Sequence, residues 1–284
     1  MKPRHRAIIA SIFIGTALVV ANLGWVDEWS REYTQTSLKR ALITFGVARG
    51  LNGVISVAQG TEVAIQPAGI GVNFTPGQIL DPINDLIERF SWIMMTASTS
   101  LGIQRVLIDV TNWWGFTAIM AGCGVAAIAT FALGARVPPL IHAIAVKAAL
   151  ISIIIRFLVP ALAISAETFY SFFLAGQYHE STQKLEESTT VIGQINQSQQ
   201  HEIDQGRSGT NSVWDNAKRI YQSAAASVDI QARIEQYKLA AAEVSEYAVN
   251  LIVVFVLQTV LFPFAFVWAA VRVIKAIILS PWPR

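Results

Sequence analysis

The sequence has little of what most soluble proteins depend on. It contains one cysteine, Cys123, and four histidines in 284 residues. A lone thiol can form neither an intramolecular disulfide nor a multi-thiolate metal site, so we expect no disulfide and no metal. Charged residues make up only 14% of the chain, whereas an average soluble domain has about 25%. This shortage argues against an ordinary soluble globule.

A surplus of positive charge is also missing. The chain has 21 Lys and Arg against 19 Asp and Glu, which gives a formal net charge of +2. Nucleic-acid-binding domains concentrate basic residues on one face, so we expect no nucleic-acid partner. The sequence also has none of the short motifs that mark hydrolases, zinc enzymes or phosphate-binding loops. We therefore predict that the protein is not an enzyme, with no catalytic residue and no cofactor.

Long apolar runs take the place of these features, and hydrophobic residues make up 53% of the chain. A helix needs about 20 mainly apolar residues to cross the hydrocarbon core of a bilayer. Four segments approach or exceed this length: residues 7–26, 115–135, 140–176 and 247–271. The sequence therefore predicts an all-α integral membrane protein with four transmembrane helices.

Two insertions separate these helices, one small and α+β, the other a long extramembrane helical hairpin. The predicted parts are an N-terminal transmembrane anchor at 1–26, an extramembrane α+β region at 27–112 with an interfacial helix at 90–110, the second and third transmembrane helices at 113–177, the hairpin at 178–247, and the fourth transmembrane helix with a basic tail at 248–284. One alternative makes residues 90–110 a fifth crossing. Another treats residues 1–21 as a cleaved secretory signal.

The positions of Lys and Arg predict the orientation, because positively charged loops tend to stay in the cytoplasm. Four crossings place residues 1–6, 136–139 and 272–284 on one side of the membrane, and all three segments are basic. We therefore expect a multi-pass protein of the bacterial inner (cytoplasmic) membrane with both termini cytoplasmic. Both insertions would then lie on the periplasmic side.

Local patterns give the insertions their predicted structure. In the first, residues 34–49 have helical spacing, whereas residues 54–58, 63–66 and 72–74 alternate as strands do. Asp81 followed by Pro82 is typical of a helix start. In the second, Gly206 and Gly209 indicate the tip of the hairpin.

The second arm of the hairpin carries an apolar stripe at coiled-coil spacing. The first arm has fewer apolar residues to cover it, so we expect this stripe to contact a second copy of the chain. The sequence thus predicts a homo-oligomer, with membrane lipid and an envelope protein as further partners. The expected oligomer contacts are Ile234, Tyr237, Ala241 and Val244.

Arg156 is the most informative polar residue, because it lies inside an apolar segment. An unpaired charge at the bilayer centre costs at least ~2.5 kcal/mol on insertion scales. Headgroups, backbone carbonyls, a water-filled path or an ion pair could compensate it. Glu167 lies three helical turns later on the same face, and Ser152 lies one turn earlier. The predicted polar membrane face is completed by Gln258 and Thr259 in the last helix.

Two functions fit this pattern. Four crossings form a small bundle, so the leading prediction is a homo-oligomeric channel or pore component for ions or small solutes. The alternative is a non-conducting scaffold or assembly factor whose hairpin docks an envelope partner. Pro160 and Pro263 are expected to kink the third and fourth membrane helices. Arg156 discriminates, because a channel needs it to face water and a scaffold can bury it.

Overall fold

The computed structural model describes residues 3–60, 63–65, 72–74, 79–206 and 213–279. Within these ranges the chain is almost entirely helical. The predicted hairpin tip at Gly209, the residues Lys2 and Arg284, and the last residue of the expected strand at 63–66 lie outside the described residues.

Eight α-helices and two short strands make up the described chain. They are α1 Pro3–Leu23, α2 Trp25–Gly60, β1 Val63–Ile65, β2 Val72–Phe74, α3 Asp81–Thr111, α4 Trp114–Leu133, α5 Pro139–Phe169, α6 Ala175–Gly206, α7 Val213–Val256 and α8 Phe262–Leu279. A 3-10 turn, Gly134–Arg136, precedes α5. Two π-helical turns, Tyr170–Leu174 and Leu257–Leu261, join α5 to α6 and α7 to α8.

Four helical segments are long and apolar enough to cross a membrane, which supports the prediction of a helical membrane protein. They lie in Trp25–Gly60, Trp114–Leu133, Pro139–Ser198 and Ile234–Leu279. The first of them differs from the sequence prediction. The predicted crossing at residues 7–26 corresponds to the shorter apolar helix Ile8–Leu23, and α2 is the longer candidate near the N-terminus.

The predicted α+β insertion is not supported. Residues 54–58, expected as a strand, belong to α2, because Leu51, Ile55 and Ala58 continue its buried stripe at helical spacing. The helix expected at 34–49 is accordingly only part of α2. The two described strands have three residues each and form one antiparallel pair, with Val63 opposite Phe74.

The third helix begins at Asp81, where the sequence places a helix start. It continues without interruption to Thr111, so residues 90–110, expected as a separate interfacial helix, are part of one 31-residue helix.

The chain forms two compact units, and α2 and α3 each contribute residues to both. The first unit comprises Met1–Arg40, Ala97–Phe173 and Val256–Arg284. Its apolar core joins α1, α4 and α5 through Ile14, Met120 and Val146. Gly124 allows close contact there, because a Cβ atom on it would lie 2.8 Å from Cδ1 of Leu18. A small residue thus brings α1 and α4 together, as is common in membrane bundles.

The second unit comprises Ala41–Thr96 and Leu174–Phe255. It contains most of the hairpin formed by α6 and α7, together with the end of α2 and the start of α3. The Tyr237 hydroxyl donates to Oδ1 of Asn196 over 2.8 Å, and Nδ2 of Asn196 donates to the carbonyl of Val54 over 2.9 Å. These two hydrogen bonds tie α7 to α6 and α6 to α2 inside a buried apolar layer that includes Leu185 and Ile192.

Candidate functional site

Arg156 lies at the centre of the first candidate cluster, in the first unit. Its side chain is 0% exposed. Its Nη1 and Nη2 atoms donate to the two carboxylate oxygens of Asp27 over 2.7 and 2.5 Å. Nη2 also donates to Oδ1 of Asn112 over 3.2 Å. The guanidinium is therefore held in the two-pronged geometry that makes Arg–carboxylate pairs strong.

Helix ends bring the partners of Arg156 into place. Gly24 has a φ of 72°, a conformation that glycine adopts without strain, and it separates α1 from α2. Asp27 consequently lies in the first turn of α2, where the helix dipole favours a negative charge. Asn112 follows the last residue of α3 and precedes α4. Two breaks between helices thus converge on one side chain of α5.

Because Arg156 and Asp27 are buried, each has lost its hydration, and each depends on the other to compensate its charge. Removing either charge from water carries a penalty of several kcal/mol, which only a well-formed pair offsets. Asp27 is 2% exposed, so neither partner has water as a substitute. The Nε of Arg156 is the one atom of the guanidinium without a hydrogen-bond partner among the described residues. The cluster is therefore nearly closed, with its two charges neutralised inside one chain.

A second ion pair joins α2 and α5 further along the same two helices. Nη1 and Nη2 of Arg40 donate to the two carboxylate oxygens of Glu167 over 2.9 and 2.5 Å. The hydroxyl of Ser37 donates to Oε2 of Glu167 over 3.0 Å. The two charged side chains are 14% and 15% exposed, respectively. This pair is again bidentate, although it is less completely buried.

Two further side chains complete this second cluster. Nε2 of Gln258 donates to the hydroxyl of Ser37 over 3.1 Å, which brings the π-helical turn before α8 into the network. The Cζ atom of Arg40 lies 3.7 Å from the centre of the Tyr170 ring, within cation–π distance. Through Tyr170 and Gln258 the cluster therefore joins α2 and α5 to both π-helical turns.

The predicted polar membrane face is divided between these clusters. Arg156 and Glu167 each have a separate partner, and Gln258 reaches Glu167 through Ser37. The hydroxyl of Ser152 instead donates to the carbonyl of Ala148 in its own helix. Thr259 is buried in the adjoining π-helical turn. A pore-lining role for these residues stays a prediction.

The two prolines lie in different settings. Pro160 is buried inside α5, which continues to Phe169. Pro263 is the second residue of α8 and directly follows the π-helical turn Leu257–Leu261. A proline removes one backbone donor, and π-helical turns are among the local changes that accommodate this loss in membrane helices. The structure thus provides a local accommodation beside Pro263.

The four predicted oligomer contacts lie mainly inside their own chain. Tyr237, Ala241 and Val244 are buried in the second unit, and Ile234 is half-buried. The second unit therefore covers the stripe more completely than the composition of the first arm suggested. A role in oligomer contacts stays a prediction.

Sequence reasoning missed the partners of both charged residues. All four of these partners, Asp27, Asn112, Ser37 and Arg40, fall in the region 27–112 that the sequence predicts to be extramembrane. A usable signal was present: residues 27 and 40 carry opposite charges about 20 Å apart along one helix. Residues 156 and 167 carry the complementary charges about 17 Å apart along another. Similar spacing of opposite charges predicts that the two helices pair side by side.

The described part of the chain contains no group of three or more His, Cys, Asp or Glu side chains that could hold a metal ion. No family model matches the sequence, and neither the curated proteins nor the solved structures gave a match.

Proposed function

We propose that the protein is a non-conducting membrane scaffold or assembly factor, placed in the bacterial inner membrane with both termini cytoplasmic. The observation that carries this proposal is the burial of Arg156 in a bidentate pair with Asp27. The proposal assigns the chain no reaction and no cofactor.

The state of Arg156 separates a scaffold from a channel. A ring of basic side chains selects ions only when its charges face the permeation path. Here the guanidinium is 0% exposed and its charge is neutralised by a carboxylate of the same chain. Glu167, the other charge of the predicted polar face, is neutralised in the same way by Arg40. Neither pair leaves a net charge to attract a permeating ion.

The hairpin supplies the docking element of the proposed scaffold. α6 has 32 residues and α7 has 44, lengths of about 48 and 66 Å. Large apolar side chains remain exposed on both arms, including Val191 on α6 and Leu239 on α7. Contiguous exposed apolar patches often mark a protein contact, and Val191 and Leu239 are the proposed centres of such a patch on the two arms. The proposed partner is an envelope protein that covers this part of the hairpin.

Current recordings test the non-conducting half of the proposal. The purified protein, reconstituted in planar bilayers, should carry no current at any voltage, and Arg156→Glu should not create a selective one. A wild-type current whose anion preference reverses in Arg156→Glu would refute the scaffold. It would establish instead the homo-oligomeric channel, which stays a prediction from the sequence.

Site-specific photo-crosslinking in intact cells tests the docking half. A photoreactive amino acid at Leu239 should yield one discrete adduct with a different protein. The matched control is Ile119, an exposed apolar residue of α4 in the first unit, which should give no such adduct. Adducts of Leu239 that contain only this chain would indicate self-association and exclude the proposed partner.

A further inference from the structure

We propose that one surface of the lipid bilayer lies at the level of Arg156 in the first unit. In this arrangement α1, α4 and the part of α5 before Arg156 lie in the hydrocarbon core. The first part of α2, the last part of α3 and the rest of α5 lie outside it. From the sequence alone, the apolar segment 140–176 is predicted to be one membrane helix with an extension at one or both ends.

The breaks between helices define this level. α1 ends at Leu23, just before Asp27, and α4 starts at Trp114, just after Asn112. Both Asp27 and Asn112 contact Arg156. The ends of α1 and α4 therefore lie beside the middle of α5.

Exposed tryptophans surround the same level. Trp25, Trp113 and Trp114 are large, exposed side chains beside these breaks, and Trp114 is 74% exposed. Indole rings prefer the boundary between lipid and water, where the apolar ring and the N–H group are both satisfied. Three such rings at the level of a buried ion pair indicate a bilayer surface there.

The last helix adds a fourth tryptophan. Nζ of Lys147 donates to the carbonyl of Ile278 over 2.6 Å, which fixes α8 beside α5. From this contact α5 rises about 14 Å to residue 156, and α8 rises about 15 Å to residue 268. Trp268 therefore lies at the level of Arg156. The Cζ atom of Arg272 lies 4.4 Å from the centre of the Trp268 ring, so its charge points towards the proposed surface.

On one side of this level, α4 and the start of α5 expose an apolar surface that suits hydrocarbon. Ile119, Val125, Leu140 and Ile144 are all more than half exposed there. α4 extends 20 residues from Trp114, a length of about 30 Å. A typical hydrocarbon core is about 30 Å thick, so α4 spans it fully.

The side beyond Arg156 carries exposed charges. Nη2 of Arg31 lies 2.8 Å from Oδ1 of Asp109, and the two side chains are 44% and 53% exposed. Glu28, Glu32 and Lys39 are also exposed on this part of α2. Such charges in hydrocarbon would each cost about 2.5–3.5 kcal/mol or more. These charges therefore favour water on this side of the proposed bilayer surface.

This boundary predicts that Phe172 has no contact with lipid tails. The residue is 78% exposed in the π-helical turn after α5. It lies about 24 Å beyond the level of Arg156 along the helix. Although strongly apolar, it is placed outside the hydrocarbon core. Lipid contact at Phe172 would therefore contradict the proposed boundary.

Spin labels can measure this depth in the full-length protein. Cys123→Ala removes the native thiol, and single cysteines at Ile119 and Phe172 then carry a nitroxide in phosphatidylcholine–phosphatidylglycerol vesicles. Molecular oxygen concentrates in hydrocarbon, whereas a nickel chelate stays in water. At Ile119 we expect the oxygen collision rate to exceed the nickel rate several-fold. At Phe172 we expect no excess of oxygen.

The comparison of the two labels decides the proposal. An excess of oxygen at Phe172 as large as that at Ile119 would overturn it, as would a dominant nickel signal at Ile119. A Phe172 label protected from both reagents supports it, because a lipid-exposed label would encounter oxygen. Phe173, which is also strongly exposed, provides a second site if the Phe172 variant does not fold. The spin-label experiment measures depth and not current. A result that contradicts the proposed bilayer surface would therefore not contradict the proposed scaffold function.

Discussion

Removing Arg156 should unfold the first unit more readily, because Asp27 would be left as an uncompensated buried charge. Breaking a buried ion pair by removing one partner costs about 3–5 kcal/mol. For chains of this size each kcal/mol lowers Tm by about 2–4 °C. Arg156→Leu should therefore lower Tm by at least about 6 °C in detergent or nanodiscs, measured by circular dichroism.

The companion variant separates loss of the pair from loss of packing. In Asp27→Leu/Arg156→Leu both charges are gone, and buried pairs replaced by apolar residues are often neutral or stabilising. The double variant should therefore regain most of the Tm lost by Arg156→Leu alone. A double variant as unstable as the sum of its two single variants would refute this reasoning.

A matched control uses the exposed pair of the same unit. Arg31 and Asp109 are 44% and 53% exposed, and exposed ion pairs contribute about 0–1 kcal/mol. Arg31→Leu should therefore change Tm by no more than about 4 °C. Equal losses for Arg31→Leu and Arg156→Leu would show that burial does not determine the effect.

Three further variants test other contacts, each by its Tm. Glu167→Gln should be destabilised less than Arg156→Leu, because its partner is about 14% exposed and can recruit water; an equal loss would contradict this. Gly124→Val should lose about 1–3 kcal/mol, since its Cβ would lie 2.8 Å from a leucine of α1. The control Gly122→Val, with nothing within 4 Å, should be nearly neutral. Tyr237→Phe should cost about 1–3 kcal/mol by leaving a buried amide oxygen unpaired, and an unchanged Tm would exclude that role.

The helical and apolar character of the chain could be predicted because it depends on local sequence patterns. Apolar runs identify helices long enough for a membrane, and Asp81 correctly marks the start of α3. Residues 54–58 were assigned wrongly because five residues can match both strand and helix spacing. The longer stripe through Leu51, Ile55 and Ala58 carries the helical period.

The candidate clusters could be predicted only in part. Arg156 stood out because a charge in an apolar run needs compensation. Its partner Asp27 lies 129 residues away, and Glu167 lies 127 residues from Arg40. Periodicity gives the face on which a residue lies but not the helix that packs against it. The partners therefore required the tertiary structure.

The long separation of the paired charges has a consequence for biosynthesis. Ribosomes add about 5–20 residues per second. Asp27 is therefore made about 6–26 s before the arginine that neutralises it, 129 residues later. During that interval the Asp27 carboxylate of the nascent chain must stay hydrated, protonated or bound to a chaperone. Arg156 and Glu167 then emerge together, so both ion pairs can close in one late step of assembly.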